Sequence, residues 1–243
     1  MVVKILDKVD AVLLDVEGTT TPVDFVHKVL FRYAIDHITE FLRENWHCDS
    51  VKKALAGLNT VNNISSFKKQ GNYNDADLEE SIENYSDIIK KMINSDSKDG
   101  SLKVIEGMIW ENGYRKGELR GEVYQDVPET MKKWRDLGKH IFIYSSGSVL
   151  AQRMLFETTN FGDLTVYIEG YFDAEIGGKK DPSSYRRISS ILQYNAGRIA
   201  FLSDSLQELD AASSAGFKTV LVQRNMVNEI NGRPAVCDFK EIA

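Results

Sequence analysis

Cysteine is scarce: Cys48 and Cys237 are the two in 243 residues. They stand far apart and form no metal-type spacing, which argues against a disulfide framework or a cysteine-rich metal site. They read as reduced thiols in a cytosolic protein. Positive charge is also short, with 30 Lys and Arg against 36 Asp and Glu, a net charge of -6. A chain this acidic has no general attraction for nucleic acid or anionic lipid, so neither is expected as a partner. No run approaches the roughly 20 apolar residues of a membrane span. Met1–Lys8 carries acid early and has no long apolar core, so it is not read as a signal peptide. There is no Gly-x-x-x-x-Gly-Lys-Ser/Thr loop and no Gly-x-Gly-x-x-Gly after the first apolar run, which argues against those modes of nucleotide binding. The four histidines, His27, His37, His47 and His140, form no tight metal motif. His27 and His37 read as packing or surface residues, with His27 also a substrate-contact candidate because it follows the first strand closely. Repeats and low-complexity tails are absent, and the expectation is a soluble intracellular protein.

What is present has an order. Val9–Leu14 reads as a buried strand, and it runs into Asp15-Val16-Glu17-Gly18-Thr19-Thr20-Thr21-Pro22. From Asp24 to about Asn45 the apolar spacing turns helical. Val51–Leu58, Asp75–Ile93 and Leu102–Glu111 also read as helices, with polar linkers at Asn59–Asn63, Gln70–Asn74 and Asn94–Gly100. Alternation then begins. Helices are predicted over Asp126–Leu137, Val149–Glu157, Pro182–Tyr194 and Leu206–Ala215. Strands are predicted over His140–Tyr144, Leu164–Glu169, Ile199–Leu202 and Thr219–Val222. Such alternation argues for an α/β fold, a doubly wound parallel sheet with helices on both faces. Residues 1–21 and 117–243 would form this discontinuous core, and residues 22–116 an all-helical insertion after the first strand.

Parallel sheets bind ligands beyond the carboxyl ends of their strands. Asp15, Glu17, Ser145, Ser146, Lys179 and Asp204 all fall at or near such ends. Asp15 is the candidate nucleophile, since a carboxylate can attack phosphorus and form an aspartyl phosphate. Its plainer explanation is a turn-forming Asp. Glu17 is the candidate general acid and base, although a free Glu titrates near ~4.3 and needs an upward shift to donate at neutral pH. On its own it could equally be a solvated turn residue. Asp204 could join Asp15 in holding Mg²⁺, or could cap the following helix. Glu208, one turn further on, could orient the metal or its waters. Ser145 and Ser146 precede a helix, where hydroxyls and backbone N–H groups suit phosphate oxygens, and Ser148 reads as a cap. Lys179, between glycines and Asp181-Pro182, can supply a fixed positive charge, although a surface Lys is the commoner explanation.

The ordered set Asp15-x-Glu17-Gly-Thr, Ser145, Lys179 and Asp204 resembles the four motifs of the haloacid dehalogenase-like superfamily of phosphohydrolases. Asp15–Val26, Trp110–Tyr114, Ile143–Phe156, Glu169–Asp173 and Ser203–Ala212 resemble, more narrowly, the enolase-phosphatase (acireductone synthase) family of methionine salvage. The resemblance covers most of the chain and is weakest from Cys48 to Gly100. It implies a Rossmann-like hydrolase core with a helical cap that closes over the substrate. It implies a phosphorylated diketone, 2,3-diketo-5-methylthiopentyl 1-phosphate, that is enolised and dephosphorylated to acireductone. It implies one Mg²⁺ per subunit, held by the Asp15 and Asp204 side chains and the Glu17 backbone carbonyl. Ser145, Ser146 and Lys179 would hold the phosphate, and the choice of Lys179 over Lys180 rests on this resemblance. It also implies a monomer in the cytoplasm, with nuclear location in some members. Two local departures are Val23-Asp24, where the family has Ile-Ser, and Gln223-Arg224-Asn225-Met226, where it has Arg-Pro-Gly-Asn. The competing readings are another small-molecule phosphatase of the superfamily and an aspartyl-phosphate signalling receiver. A receiver carries its Asp on a central strand and lacks a cap, whereas here the first strand carries it.

Overall fold

A computed structural model describes residues 2–62, 75–225 and 233–243. The chain divides into two compact units, Met1–Val26 with Arg120–Ala243, and His27–Leu119. The strands are β1 (Ala11–Leu14), β2 (His140–Tyr144), β3 (Gly170–Phe172), β4 (Ile199–Ser203), β5 (Lys218–Val222) and β6 (Ala235–Val236). The helices are α1 (Phe31–Asn45), α2 (Asp49–Asn62), α3 (Asp75–Asn94), α4 (Gly100–Lys116), α5 (Val127–Asp136), α6 (Val149–Glu157), α7 (Pro182–Leu192) and α8 (Leu206–Ser214).

In the first unit the strands form one sheet in the order β3-β2-β1-β4-β5-β6, and all five pairings are parallel. The apolar runs explain it. Every residue of β1 and β4 is buried, as expected for strands covered on both faces. Ala11, Leu13, Phe142, Tyr144, Ile199 and Phe201 form one core with Tyr185, Ile188 and Leu209 of the helices. Each fully buried Leu or Ile contributes roughly 1.5–3 kcal/mol. Leu14 pairs with both Ile143 and Leu202, so β1, β2 and β4 end at one edge. The strand order turns at β1, and the residues just beyond that edge occupy the switch point where ligands bind.

Helix starts follow their caps. Ser148 accepts from Ala151 N at 3.2 Å to open α6, and Asp181 accepts from Ser183 N at 2.8 Å to open α7. In the second unit, Asp99 caps α4 through Leu102 N, and Gly117 closes it at φ 74°. Ile38, Leu42, Leu58, Ile82, Ile89, Leu102 and Ile105 are buried along its four helices.

Several expectations need correcting. The first insertion helix begins as a π-helix over Phe25–Leu30, because apolar spacing near three and four does not distinguish that winding from an α-helix. α2 runs on to Asn62, so most of the expected linker Asn59–Asn63 is helical, whereas Gln70–Asn74 lies outside the described residues. The strand expected over Leu164–Glu169 is instead a 3₁₀ turn at Thr165–Tyr167, followed by β3. Asp163 Oδ1 accepts from Thr165 N and Oγ1 at 2.8 and 2.5 Å, and this local bonding displaces the ladder. β6 and a 3₁₀ turn at Phe239–Glu241 are additional.

Candidate active site

The β1 end is shaped by a tight turn. Gly18 sits at φ 73°, and its N–H donates to Thr21 O at 2.8 Å. The N–H groups of Thr19, Thr20 and Thr21 all converge on Val16 O, and the Thr20 hydroxyl donates to Asp15 O at 3.1 Å. The three threonines are fully buried, so their run serves this turn rather than a surface.

Asp15 is 4% exposed. Its Oδ1 accepts from Val16 N at 2.7 Å and from Lys179 Nζ at 2.5 Å. Its Oδ2 faces Ser203 Oγ at 3.1 Å. Lys179 Nζ also meets Glu208 Oε2 at 2.6 Å, and the same Oε2 lies 3.1 Å from Ser203 Oγ. Two carboxylates, an ammonium and a hydroxyl thus form a closed ring. Burial by itself would depress the Lys179 ammonium, but the Asp15 and Glu208 charges outweigh it and hold the pKa above the usual lysine value. Glu208 moves the other way from a well-paired acid. Burial and then the Asp15 charge raise its carboxyl more than Lys179 lowers it.

The Lys179 backbone is held as firmly as its head group. Tyr144 OH donates to Gly177 O at 2.8 Å, Ser184 Oγ to Gly178 O at 2.9 Å, and Tyr185 OH to Lys179 O at 2.6 Å. Three successive carbonyls each receive a buried hydroxyl, which accounts for a Ser and two Tyr in an otherwise apolar core. Lys180, the neighbouring candidate, is exposed.

Asp204 follows β4. Its N–H donates to Thr19 Oγ1 at 3.1 Å, tying the β4 end to the β1 turn. A Cβ on Gly18 would lie 2.3 Å from Asp204 Oδ2, so this carboxylate occupies the space that glycine leaves open. Asp204 is open to solvent as a residue. Partial desolvation of its carboxyl, and then the Asp15 charge, raise its pKa to about 6. It does not cap α8: Ser205 is the N-cap residue, without a side-chain capping bond. Glu208, expected at a metal or its waters, instead pairs with Lys179.

Glu17 is half-buried within the turn, bridged to Thr21. Ser145 follows β2 and donates its N–H to Phe172 O at 3.1 Å, while its hydroxyl accepts from Gly147 N at 3.4 Å. Ser146 is exposed. Gln152 holds this loop from below, donating to Gly147 O and Phe172 O at 2.7 and 2.9 Å. Asp173 takes one N–H at the start of α6, Val149 N, at 3.1 Å. Of the histidines, His140 pairs with Glu169, His37 stacks on Tyr33, and His27 packs edge-on against Phe31.

Among the described residues no group of three or more His, Cys, Asp or Glu stands ready around a metal. Asp15, Asp204 and Glu208 nevertheless bring three carboxylates against one ammonium. That uncompensated negative charge, with the Asp204 cradle at Gly18, fits a hard cation that needs one or two carboxylates and completes its shell with water and substrate.

Residues missed by motif reading are Ser203, the three hydroxyls behind Lys179, and Arg224. The last appeared only as part of a departing loop, of which Met226 lies outside the described residues. The signal available for Arg224 was a lone cation directly after an apolar strand.

Comparison with known proteins agrees with this chemistry. A model of the haloacid dehalogenase-like hydrolases matches residues 9–216. The chain is 41% identical over 231 residues to enolase-phosphatase E1 of Marinobacter nauticus, across 95% of each chain. It is 45% identical over 216 residues to enolase-phosphatase E1 of a Sulfurihydrogenibium species, across 89% of this chain and 88% of the relative. Among solved structures, the UTR4 protein of Saccharomyces cerevisiae superposes with a TM-score of 0.73 at 30% identity, across 96% of this chain and 99% of that one. The chain therefore belongs to the haloacid dehalogenase-like hydrolases and, within them, to the enolase-phosphatase E1 family of phosphatases.

Proposed function

We propose that the protein is a Mg²⁺-dependent enolase-phosphatase of methionine salvage, acting as a cytoplasmic monomer. It takes 2,3-diketo-5-methylthiopentyl 1-phosphate to acireductone and inorganic phosphate. The observation that carries this reading is the buried Asp15 carboxylate, held by Val16 N and Lys179 at the switch point of the sheet. The names of the relatives support the choice of substrate.

In this reading Asp15 attacks phosphorus, the bond to the leaving oxygen breaks, and an aspartyl phosphate forms. Glu17 gives its proton to the leaving oxygen. It then takes a proton from the water that attacks the phosphorus of the intermediate, releasing phosphate and restoring Asp15. Lys179 pairs with Asp15 and draws in the phosphoryl group, which Ser145, Ser146 and nearby backbone N–H groups hold. Asp15, Asp204 and the Glu17 carbonyl would hold Mg²⁺, which when bound neutralises charge between nucleophile and phosphate.

The test is phosphate release from the diketone phosphate beside a panel of common phosphate esters, with and without Mg²⁺, while absorbance follows the enolised product. Turnover of the diketone with that absorbance change is the expected result. Preference for a sugar or nucleotide ester would overturn the narrow reading. Asp15→Asn should abolish release from every ester, and normal turnover would remove it as nucleophile.

A further inference from the structure

Arg224 is 7% exposed at its side chain, and so is Asp126, with which it pairs. Its Nη1 donates to Asp126 Oδ1 and Oδ2 at 2.9 and 2.7 Å, and to Cys237 O at 3.3 Å. The rest of the fork turns toward the Asp15 turn: Nε donates to Thr19 O at 2.9 Å, and Nη2 reaches the same oxygen. Its guanidinium carbon lies 4.2 Å from the centre of the Tyr124 ring and 4.5 Å from that of Phe239. Phe239 N adds a bond to Asp126 Oδ2 at 2.6 Å, so the acid is anchored independently. An arginine used only to neutralise Asp126 would not need a carbonyl two residues from Glu17 and an aromatic slot as well.

Thr19 is the junction. Its carbonyl is held by Arg224, and its hydroxyl accepts from Asp204 N at 3.1 Å. The next carbonyl, Thr20 O, accepts from Tyr124 N at 3.0 Å, and Tyr124 is the residue on which Arg224 stacks. One guanidinium thus sets the turn carrying Asp15 and Glu17 against both the β4 end and the chain returning at Tyr124–Asp126.

We propose that Arg224 is a positioning residue for this turn. It holds the Thr19 carbonyl so that Asp15 and Glu17 keep their placement relative to Asp204, with Asp126, Tyr124 and Phe239 as its mount. The inference rests on the reading of Asp15 and Glu17 as the reacting pair. A misplacement of about 1 Å can cost roughly 100-fold in rate. Lysine cannot replace it, because one ammonium offers neither the fork nor the plane that packs on the two rings.

The experiment compares the full chain with Arg224→Lys, which keeps the charge beside Asp126. It adds the double variant Arg224→Gln with Asp126→Asn, which leaves no buried charge unpaired. Three quantities are read: kcat and KM for a phosphate ester the parent hydrolyses, hydrogen exchange of the Val16–Thr21 amides, and recovery of Arg224→Ala by added guanidinium ion. The expected result is a kcat fall of about 10- to 100-fold in both variants with KM within threefold. Faster exchange in Val16–Thr21 than in β1, and kcat recovery with guanidinium, complete it. Folded Arg224→Lys with kcat within twofold of the parent, or unchanged exchange in the turn, would overturn the proposal. A kcat loss that follows only the unfolded fraction would do the same. If the parent hydrolyses simple esters but not the diketone phosphate, the substrate assignment fails and this inference is still read on those esters. If it hydrolyses none, the exchange measurement alone decides.

Discussion

Lys179 Nζ and Asp15 Oδ1 meet at 2.5 Å although 164 residues separate them in the chain. Lys179 is the ammonium among three carboxylates, so its removal leaves Asp15 and Glu208 buried without the cation that faces them. We expect Lys179→Met to lower kcat/KM by about 10²- to 10³-fold, the cost of losing one preorganised charge at a phosphoryl centre. Lys180→Met should stay within twofold, because Lys180 is exposed. Steady-state phosphate release checks both, and equal effects of the two variants would sink the assignment.

Glu17→Gln keeps the shape of the turn and its backbone carbonyl while removing the carboxyl that can give and take a proton. Loss of general acid–base assistance should slow the reaction about 10²- to 10⁴-fold. Both formation and hydrolysis of the phosphoenzyme should slow, which rapid quenching with labelled ester resolves. Mg²⁺ affinity should change little. A variant with weakened metal affinity and unaltered single-turnover chemistry would contradict the division of roles.

Gly18 is required twice. At φ 73° an Ala carries a strain of about 1–2 kcal/mol, and its Cβ would fall 2.3 Å from Asp204 Oδ2. Gly18→Ala should therefore lower the melting temperature by about 2–4 °C per kcal/mol for a chain of this size. It should cost activity as well, since Asp204 must move. Calorimetry and phosphate release on one preparation check this, and unchanged activity with a normal transition would show that the turn has room to spare.

Much of this site was legible in the sequence because strand ends in a parallel sheet are chemically distinctive. Asp15, Ser145 and Asp204 each end an apolar run, and the register of β1, β2 and β4 carries those ends to one edge. What was hidden depended on long-range contacts. By its helical spacing Glu208 is a candidate to orient a metal or its waters, yet Lys179, brought in by the Gly177–Gly178 loop, pairs with it. Nothing in the sequence marks Tyr144, Ser184 and Tyr185, because only the fold reveals that their hydroxyls meet three consecutive carbonyls. Chain order also misled in one respect. β1 comes first in sequence but stands in the middle of the sheet, so a first-strand Asp does not by itself separate a hydrolase from a receiver. The Leu164–Glu169 strand does not form: Val166 is 68% exposed, and Asp163 holds a local turn through Thr165.

The helical unit offers a pH test of its own. Glu106 is fully buried, with Oε2 at 2.8 Å from Lys103 Nζ and Oε1 lacking a hydrogen-bond partner among the described residues. Burial raises its pKa more than Lys103 beside it lowers it; Asp96 adds to the rise and Lys98 opposes it. The folded state therefore holds this proton at a pH where the unfolded chain, with a Glu near ~4.3, has lost it. Stability from this group is complete below that unfolded value and is lost as pH rises through the folded one. Glu106→Gln removes the titration and keeps the shape. The stability of the variant relative to the parent should grow as pH rises above about 4.3 and level off once the folded group has ionised. Urea midpoints at several pH values across that range give the trend, and a relative stability that falls with rising pH would show that Lys103 outweighs burial.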